Sequence, residues 1–131
     1  MSREIHGGNK YTTHLLIIGD TLKVLSDKHF FQPEKIDLIV TSPPYGLNKE
    51  YGDVYDDAFN LEGWIKMIED VANKSYEILK PNGSFFLNIS PVPAKKTKEI
   101  IPLDTYAYLA FKKYNYYLRN KIIWHFNNMQ N

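Results

Sequence analysis

Apolar residues recur at steps of three and four from Leu61 to Leu79, which is the clearest hydrophobic pattern in the chain. Residues at this spacing share one face of an α-helix, so the pattern predicts an amphipathic helix over 61–79. Asn60 is a suitable N-terminal cap for it. Pro81-Asn82-Gly83 predicts its end, because proline cannot continue a helix and glycine is favoured just beyond one.

Short runs of β-branched and other apolar residues predict strands on either side of this helix. A buried strand is predicted over 13–18, followed by strands over 36–41, 84–90 and 116–126, with further helices over 21–28 and 101–114. Strands that alternate with helices indicate an α/β fold with a mainly parallel sheet. Gly7-Gly8 is interpreted as part of a flexible lead, because no strand is predicted before it.

The predicted strand over 36–41 runs directly into Ser42-Pro43-Pro44-Tyr45. Neither proline has an N–H to donate to a strand ladder, so the strand must end there in a rigid loop. Ligands of open α/β sheets bind beyond the carboxyl ends of the strands. Gly19-Asp20, the segment from Thr41 to Tyr45 and the segment from Asn88 to Pro91 all occupy such positions.

The Ser-Pro-Pro-Tyr segment carries groups that suit an exocyclic amine on a nucleobase. The hydroxyl of Ser42 and the carbonyl of Pro43 can act as two converging acceptors for the two amine protons. The Tyr45 ring offers a stacking face, which contributes roughly 1–3 kcal/mol per base. Hydrogen bonds to both protons favour a pyramidal nitrogen whose lone pair can attack a sulfonium methyl group. The base would have to be flipped out of its duplex to reach the loop.

Composition and charge narrow the class of protein. A chain of 131 residues fits one domain, it has no cysteine, and no apolar run approaches bilayer length, so a cytoplasmic protein without membrane attachment is expected. Residues 1–93 hold 9 basic against 13 acidic side chains, whereas residues 94–131 hold 7 against 2. The basic third could face nucleic-acid phosphates or form a solvated lysine-rich surface. Asp53, Asp56 and Asp57 are interpreted as part of a mobile polar loop over 46–60 and not as metal ligands, so no metal is expected.

The decamer from Ile36 to Tyr45, IDLIVTSPPY, resembles the catalytic motif of DNA methyltransferases that modify N4 of cytosine or N6 of adenine. Four more blocks are similar to this family and stand in the matching order: Gly19-Asp20 with Leu22 and Leu25, Lys49 to Asp53, Leu79 to Ser84, and Tyr117 to His125. The resemblance therefore covers nearly the whole chain. It identifies the chain as a member of the β-class, circularly permuted DNA amino-methyltransferases.

The resemblance implies a partial Rossmann-like fold that uses S-adenosylmethionine as methyl donor and double-stranded DNA as substrate, in a restriction-modification system. It assigns the catalytic role to Ser42, Pro43, Pro44 and Tyr45, and contacts with the donor to Asp20 and Thr41. For Asp20 the favoured interpretation is nevertheless the cap of the helix beginning at Thr21, and contact with the donor is the alternative. A serine at position 42 is usual in the cytosine enzymes of the family, which favours N4-cytosine as the target; N6-adenine is the alternative.

One departure from the family pattern shapes these expectations. In permuted members the catalytic blocks are followed by a target-recognition region and a donor-binding F-x-G-x-G motif, and none of the seven glycines here forms that motif. We therefore expect residues 1–131 to be a single, truncated catalytic domain with an incomplete donor site. One subunit of a split enzyme and a non-catalytic remnant are the alternatives. An uncovered apolar face over 61–79 and an open sheet edge would favour self-association or a second chain.

Overall fold

The computed structural model describes residues 3–45, 60–94, 97 and 99–125. In these ranges the elements are β1 (Arg3–Gly8), β2 (Thr13–Ile18), α1 (Thr21–Leu25), β3 (Ile36–Thr41), α2 (Leu61–Ile78), β4 (Leu79–Leu87), β5 (Val92–Pro93), β6 (Ile100–Ile101) and α3 (Leu103–Lys113). The predicted α/β class is confirmed. The strands that the structure describes form one parallel pair, β3–β4, and two antiparallel pairs, β1–β2 and β5–β6. A single Rossmann-like sheet that is mainly parallel stays a prediction.

Helix α2 confirms the strongest pattern in the sequence. The Asn60 side chain accepts a hydrogen bond from the backbone N–H of Gly63 at 3.1 Å, as an N-terminal cap does. The apolar stripe is buried, with Trp64, Ile68 and Ala72 turned inward. The helix ends at Ile78 because Leu79 is extended and Pro81 follows two residues later.

Helix α3 covers the apolar stripe of α2. Leu103, Ala107 and Ala110 are buried and join Trp64 and Ile68 of α2 in one hydrophobic cluster. Small alanines at this contact let the two helices approach closely. The expectation that the stripe over 61–79 would be left uncovered is therefore wrong, because α3 and Val92 of β5 pack against it.

Strands β3 and β4 pair in parallel, with Val40 opposite Phe86 and Thr41 opposite Leu87. Strand β4 begins five residues before the predicted start at Ser84, since Leu79 already pairs with Ile36. Gly83 permits this early pairing: a Cβ atom there would lie 3.0 Å from the carbonyl oxygen of Ile36. A side chain at this position would require the neighbouring backbone to move by a few tenths of an ångström.

The two faces of the β3–β4 pair differ in exposure. Phe85 lies on the inner face, where its ring packs edge-on against Phe111 of α3 with the ring centroids 4.7 Å apart. Leu38, Val40 and Phe86 lie on the outer face with 51%, 69% and 52% of their surfaces exposed. Parallel strands are usually covered on both faces. The main exposed apolar surface of this sheet is therefore the outer face of β3–β4.

The first 18 residues differ from the prediction in two ways. Residues Arg3 to Gly8 form strand β1 in a hairpin with β2, so the interpretation of Gly7-Gly8 as a flexible lead is wrong. A turn closes the hairpin, with the Asn9 N–H donating to the Thr12 carbonyl at 2.7 Å and Gly8 at a φ of +137° that favours glycine. Strand β2 lies where it was predicted, but most of its residues are exposed, because its ladder partner is a solvent-facing hairpin strand.

The strand predicted over 116–126 is also wrong in its described part, since residues 116–125 join no ladder. Asn115 turns the chain after α3 with a φ of 64°. The Tyr116 ring then packs edge-on against Phe111 and Tyr76. Strand propensity alone was insufficient, because a strand is stabilised by its neighbours in a sheet. Among the described residues, none of the helices combines the length and hydropathy that crossing a bilayer requires.

Candidate active site

The carboxyl ends of β3 and β4 meet at one edge of the parallel pair. Beyond the last paired residues, the Asn88 N–H donates to the Thr41 carbonyl at 2.9 Å. This bond joins the segment from Thr41 to Tyr45 to the segment from Asn88 to Pro91. Both segments lie beyond the carboxyl ends of strands, as predicted, and they are adjacent. Gly19-Asp20, the third predicted segment, follows β2, which belongs to a different strand pair.

A chain of hydrogen bonds crosses this edge through side-chain hydroxyls. The Tyr45 hydroxyl oxygen lies 2.8 Å from Ser42 Oγ. The same hydroxyl donates to the Asn88 carbonyl at 3.0 Å. The two ends of the Ser-Pro-Pro-Tyr loop are thus tied to each other and to the end of β4. Ser42 is exposed, whereas Tyr45 is half-buried and packs against the hydrophobic cluster.

Trp64 holds the same loop from the side of α2. Its indole Nε1–H donates to the Pro44 carbonyl at 2.7 Å, and its ring is 6% exposed. Trp64 lies in the apolar stripe predicted over 61–79, and the stripe alone does not indicate this bond. A buried indole N–H usually needs a hydrogen-bond acceptor. The only sequence signal for this bond was that Trp64 lies near the start of a helix that could pack beside the proline loop. Pro43 and Pro44 are both half-buried, and their rings fix two φ angles of the loop. Three hydrogen bonds also hold the loop: Ser42 to Tyr45, Tyr45 to Asn88, and Trp64 to Pro44.

The two residues assigned to the methyl donor are placed differently. Thr41 is half-buried at the shared edge, where its carbonyl accepts from Asn88. Asp20 caps α1, because its Oδ1 accepts from the backbone N–H of Lys23 at 3.0 Å. The capping interpretation of Asp20 is therefore confirmed, and its contact with a donor stays a prediction. The roles of Ser42, Pro43, Pro44, Tyr45 and Thr41 in catalysis and binding also stay predictions.

Within the described ranges, no three histidine or acidic side chains converge in a way that could hold a metal ion. Asp53, Asp56 and Asp57, and the Lys49 to Asp53 block, lie outside the described residues. His6 and His29 each bond one oxygen of Glu4 at 2.9 Å, and the bond from His6 contributes most to lowering the pKa of that carboxyl. This cluster links β1 to the segment after α1.

Some cations of the basic C-terminal third are paired with acids of the same chain. Lys113 lies 3.1 Å from Glu69, and Lys121 lies 2.5 Å from Asp104. The hydrogen bond from Lys121 lowers the pKa of the Asp104 carboxyl. Lys112 instead sits over the Tyr117 ring, 5.1 Å from its centroid. Lys113 and Lys121 are therefore partly neutralised, which weakens the interpretation of this third as a phosphate-binding surface.

Comparison with known proteins gives consistent matches. A family model for DNA methylases matches residues 36–131. The chain is 32% identical over 106 residues to the Type II methyltransferase M.BglII of Bacillus subtilis, covering 81% of this chain and 27% of that protein. It is 31% identical over 113 residues to M.ScaI of Streptomyces caespitosus, covering 86% and 34%. M.PvuII of Proteus hauseri is 38% identical over 82 residues, covering 60% and 22%.

The chain thus spans about a third or less of the length of these curated relatives. Both segments that meet beyond β3 and β4 lie inside the range that the family model matches. That range covers more than two thirds of the chain, so this protein belongs to the family of N4-cytosine and N6-adenine DNA methyltransferases.

Proposed function

We propose that this chain carries the target-amine side of the active site of a β-class DNA methyltransferase that modifies N4 of cytosine. The observation that carries the proposal is the Ser-Pro-Pro-Tyr loop, held at the carboxyl edge of β3 and β4 by Tyr45 and Trp64. A preorganised loop at this edge suits catalysis, because its groups need no rearrangement when the target base arrives. The relatives are Type II methyltransferases, which supports a role in restriction-modification.

The substrates follow from the family and from the loop. S-adenosylmethionine, as cosubstrate, supplies an electrophilic sulfonium methyl group. The target amine of a flipped cytosine in double-stranded DNA donates its two protons to the Ser42 hydroxyl and the Pro43 carbonyl. Its nitrogen lone pair would form a bond to the methyl carbon while the carbon–sulfur bond breaks and leaves its electron pair on the neutral sulfur, and the nitrogen would then release one proton to solvent water. The Tyr45 ring stacks on the base while this happens.

The placement of the loop fits a Rossmann-like sheet, in which β3 and β4 are neighbouring central strands. Thr41 lies at the edge where such a fold binds its nucleotide, which supports a contact with the donor. Asp20 retains one carboxylate oxygen beyond its capping bond and is exposed. We propose that the binding site for the methyl donor is completed by a glycine-rich segment, supplied by further sequence or by a second chain.

Nucleoside mass spectrometry tests the target base. We expect DNA treated with a methyltransferase preparation that contains this chain to yield N4-methylcytosine, because position 42 is serine as in the cytosine enzymes. DNA treated in parallel without S-adenosylmethionine is the control. A product containing N6-methyladenine and no N4-methylcytosine would reject the cytosine assignment and leave the adenine alternative on the same loop.

A further inference from the structure

The direction of the hydrogen bonds through Tyr45 is determined by the atoms involved. A tyrosine hydroxyl has one proton, and a backbone carbonyl can only accept. The Tyr45 proton therefore points to the Asn88 carbonyl, 3.0 Å away. The 2.8 Å contact with Ser42 must then be a bond in which Ser42 donates and Tyr45 accepts. The single proton of Ser42 is used inside the protein, and its lone pairs are left for a ligand.

We infer that the Tyr45 hydroxyl is a positioning group that keeps Ser42 an acceptor, so that the loop selects bases with an amino group over bases with a keto group. This inference rests on the proposed function, in which Ser42 faces the exocyclic group of the target base. It holds for cytosine and for adenine alike, because both present an amine. It adds a role for the Tyr45 hydroxyl that is separate from stacking by its ring.

The fold determines the direction of these hydrogen bonds by holding the Asn88 carbonyl that accepts the Tyr45 proton. Asn88 donates its own N–H to the Thr41 carbonyl at 2.9 Å, directly after the paired residues Thr41 and Leu87. The Asn88 carbonyl is thus held by the β3–β4 ladder and, as a backbone group, keeps its acceptor role at any pH. Trp64 fixes the Pro44 carbonyl beside it, so Tyr45 has a defined position relative to Asn88.

The chemical consequence is a difference between an amine and a carbonyl oxygen at one position of the base. Cytosine presents N–H donors at position 4, and uracil presents an oxygen acceptor there. A serine whose proton is free can rotate and donate to that oxygen. A serine whose proton is committed to Tyr45 meets the oxygen with a lone pair, and an unmatched acceptor in a desolvated site is unfavourable. Deaminated cytosine would therefore be excluded from the site.

The test uses Tyr45→Phe, which keeps the ring and removes the hydroxyl. In a methyltransferase preparation that contains this chain, we would measure competition binding of two duplexes that differ only at the target position. One carries the amino base and the other its deaminated form, which is uracil for cytosine or hypoxanthine for adenine. The phosphate contacts and the flipping energy of each duplex are the same for the wild type and for Tyr45→Phe. They therefore cancel when the amino-to-keto binding ratios of the two proteins are compared.

We expect Tyr45→Phe to lower the amino-to-keto binding ratio by roughly tenfold, the effect of one hydrogen bond at a desolvated centre. Tyr108→Phe, which removes the hydroxyl of an exposed tyrosine on α3, is the matched control and should keep the ratio. The double variant Ser42→Ala/Tyr45→Phe should have the same amino-to-keto binding ratio as Ser42→Ala alone, because Tyr45 acts through Ser42. A structural role of the hydroxyl would instead add its effect to that of Ser42→Ala.

The possible failures are distinguishable. If Ser42→Ala methylates DNA as the wild type does, the proposed function of Ser42 is wrong. If Ser42→Ala is impaired but Tyr45→Phe keeps the ratio within about twofold, the positioning role of Tyr45 is wrong and the proposed function stands. Should Tyr45→Phe unfold, Ser42→Thr gives the second measurement. It retains a hydroxyl at position 42 and should keep the preference for the amino base, and loss of that preference would contradict the inference.

Discussion

At the scale of single residues, two serine–tyrosine pairs show how the partners of a hydroxyl decide its use. Ser75 is fully buried, donates to the Val71 carbonyl at 2.6 Å and lies 2.9 Å from the Tyr116 hydroxyl. This pair is closed within the core. In the pair of Ser42 and Tyr45, the serine is exposed at the edge of the sheet. The first pair stabilises packing, and the second leaves lone pairs at the surface where a ligand can reach them.

Removing the Ser42 hydroxyl should reduce methylation strongly while the fold is retained. We expect Ser42→Ala to lower the turnover rate on the order of 10²–10³, as for one preorganised group at a reacting centre. Tyr45→Ala should also be severe, because it removes both the stacking ring and the bond to Asn88. Ser84→Ala, on exposed β4 surface, is the control. Methylation rates with circular dichroism of each variant would check this, and wild-type turnover by Ser42→Ala would refute the role.

Tyr116 should make stability decrease at alkaline pH. Burial raises the pKa of its hydroxyl to about 12. The unfolded chain therefore releases this proton first, near a pKa of about 10, and the contribution to stability declines as pH rises from about 10 to 12. Thermal unfolding across that range should show a shallower decline for Tyr116→Phe than for the wild type. Equal slopes for the two proteins would show that Tyr116 does not carry the effect.

At the scale of elements, local patterns were predicted well and pairings were not. Helix α2 was predicted because its apolar spacing and the Asn60 cap are both local signals. Strand β1 was missed because its sequence has little apolar character, and its pairing depends on the turn from Asn9 to Thr12. The strand expected after α3 has suitable residues, but the described structure pairs none of them. Strand formation depends on which segment lies alongside, and that information is non-local.

For the candidate site, the positions of the segments were predicted, but the side-chain hydrogen bonds between them were not. The order of strand, proline and tyrosine placed the Ser42 to Tyr45 loop and the segment after β4 at one edge. The bonds from Tyr45 to Asn88 and from Trp64 to Pro44 were not predicted. Each depends on the register of β3 and β4 or on the position of α2 against them. Side-chain geometry of this kind follows from tertiary packing and has no signature in residue spacing.

The bond between Trp64 and Pro44 should couple helix α2 to the Ser-Pro-Pro-Tyr loop. Trp64→Phe keeps an aromatic ring in the core but leaves the half-buried Pro44 carbonyl without its indole donor. We expect about 1–3 kcal/mol of lost stability and a fall in turnover of roughly tenfold or more, since small displacements at a reacting centre are costly. Chemical denaturation and methylation rates measure the two effects.

Ile68→Val is the control for that measurement. It removes one buried methyl group a turn further along α2, at a cost of about 0.5–1.5 kcal/mol, and it does not touch the loop. If Trp64→Phe and Ile68→Val lose turnover only in proportion to their loss of stability, the loop does not depend on the indole N–H.

At the scale of the whole molecule, the helices bury one face of the β3–β4 pair and leave the other open. The exposed Leu38, Val40 and Phe86 form an apolar surface that sheets of this type normally cover with further helices. Association through such a surface, with another copy or a second chain, stays a prediction. The surface expected to associate is the outer face of the β3–β4 pair, because α3 and Val92 cover the apolar stripe of α2.

The chain as given should bind S-adenosylmethionine weakly at best. None of its seven glycines forms F-x-G-x-G, and one oxygen of the candidate donor contact Asp20 is used by the cap of α1. A nucleotide site needs a close approach of backbone to ligand, which glycines permit. Isothermal titration of the purified chain should therefore show no micromolar binding. Micromolar affinity would mean that the donor site is complete here. Methylation restored by a polypeptide that carries F-x-G-x-G would support a split enzyme.

The long sequence separations within the site have a kinetic consequence. Tyr45 and Asn88 are 43 positions apart, and Trp64 and Pro44 are 20 apart, whereas the backbone hydrogen bonds of α2 join residues in adjacent turns. Contacts between distant positions form slowly, because loop-closure entropy is lost before the contacts compensate for it. A chain that is still folding can therefore contain α2 before the Ser-Pro-Pro-Tyr loop is ordered. We therefore expect the Ser-Pro-Pro-Tyr loop to reach its observed arrangement late in folding, so that partly folded molecules lack the hydrogen bonds that hold it.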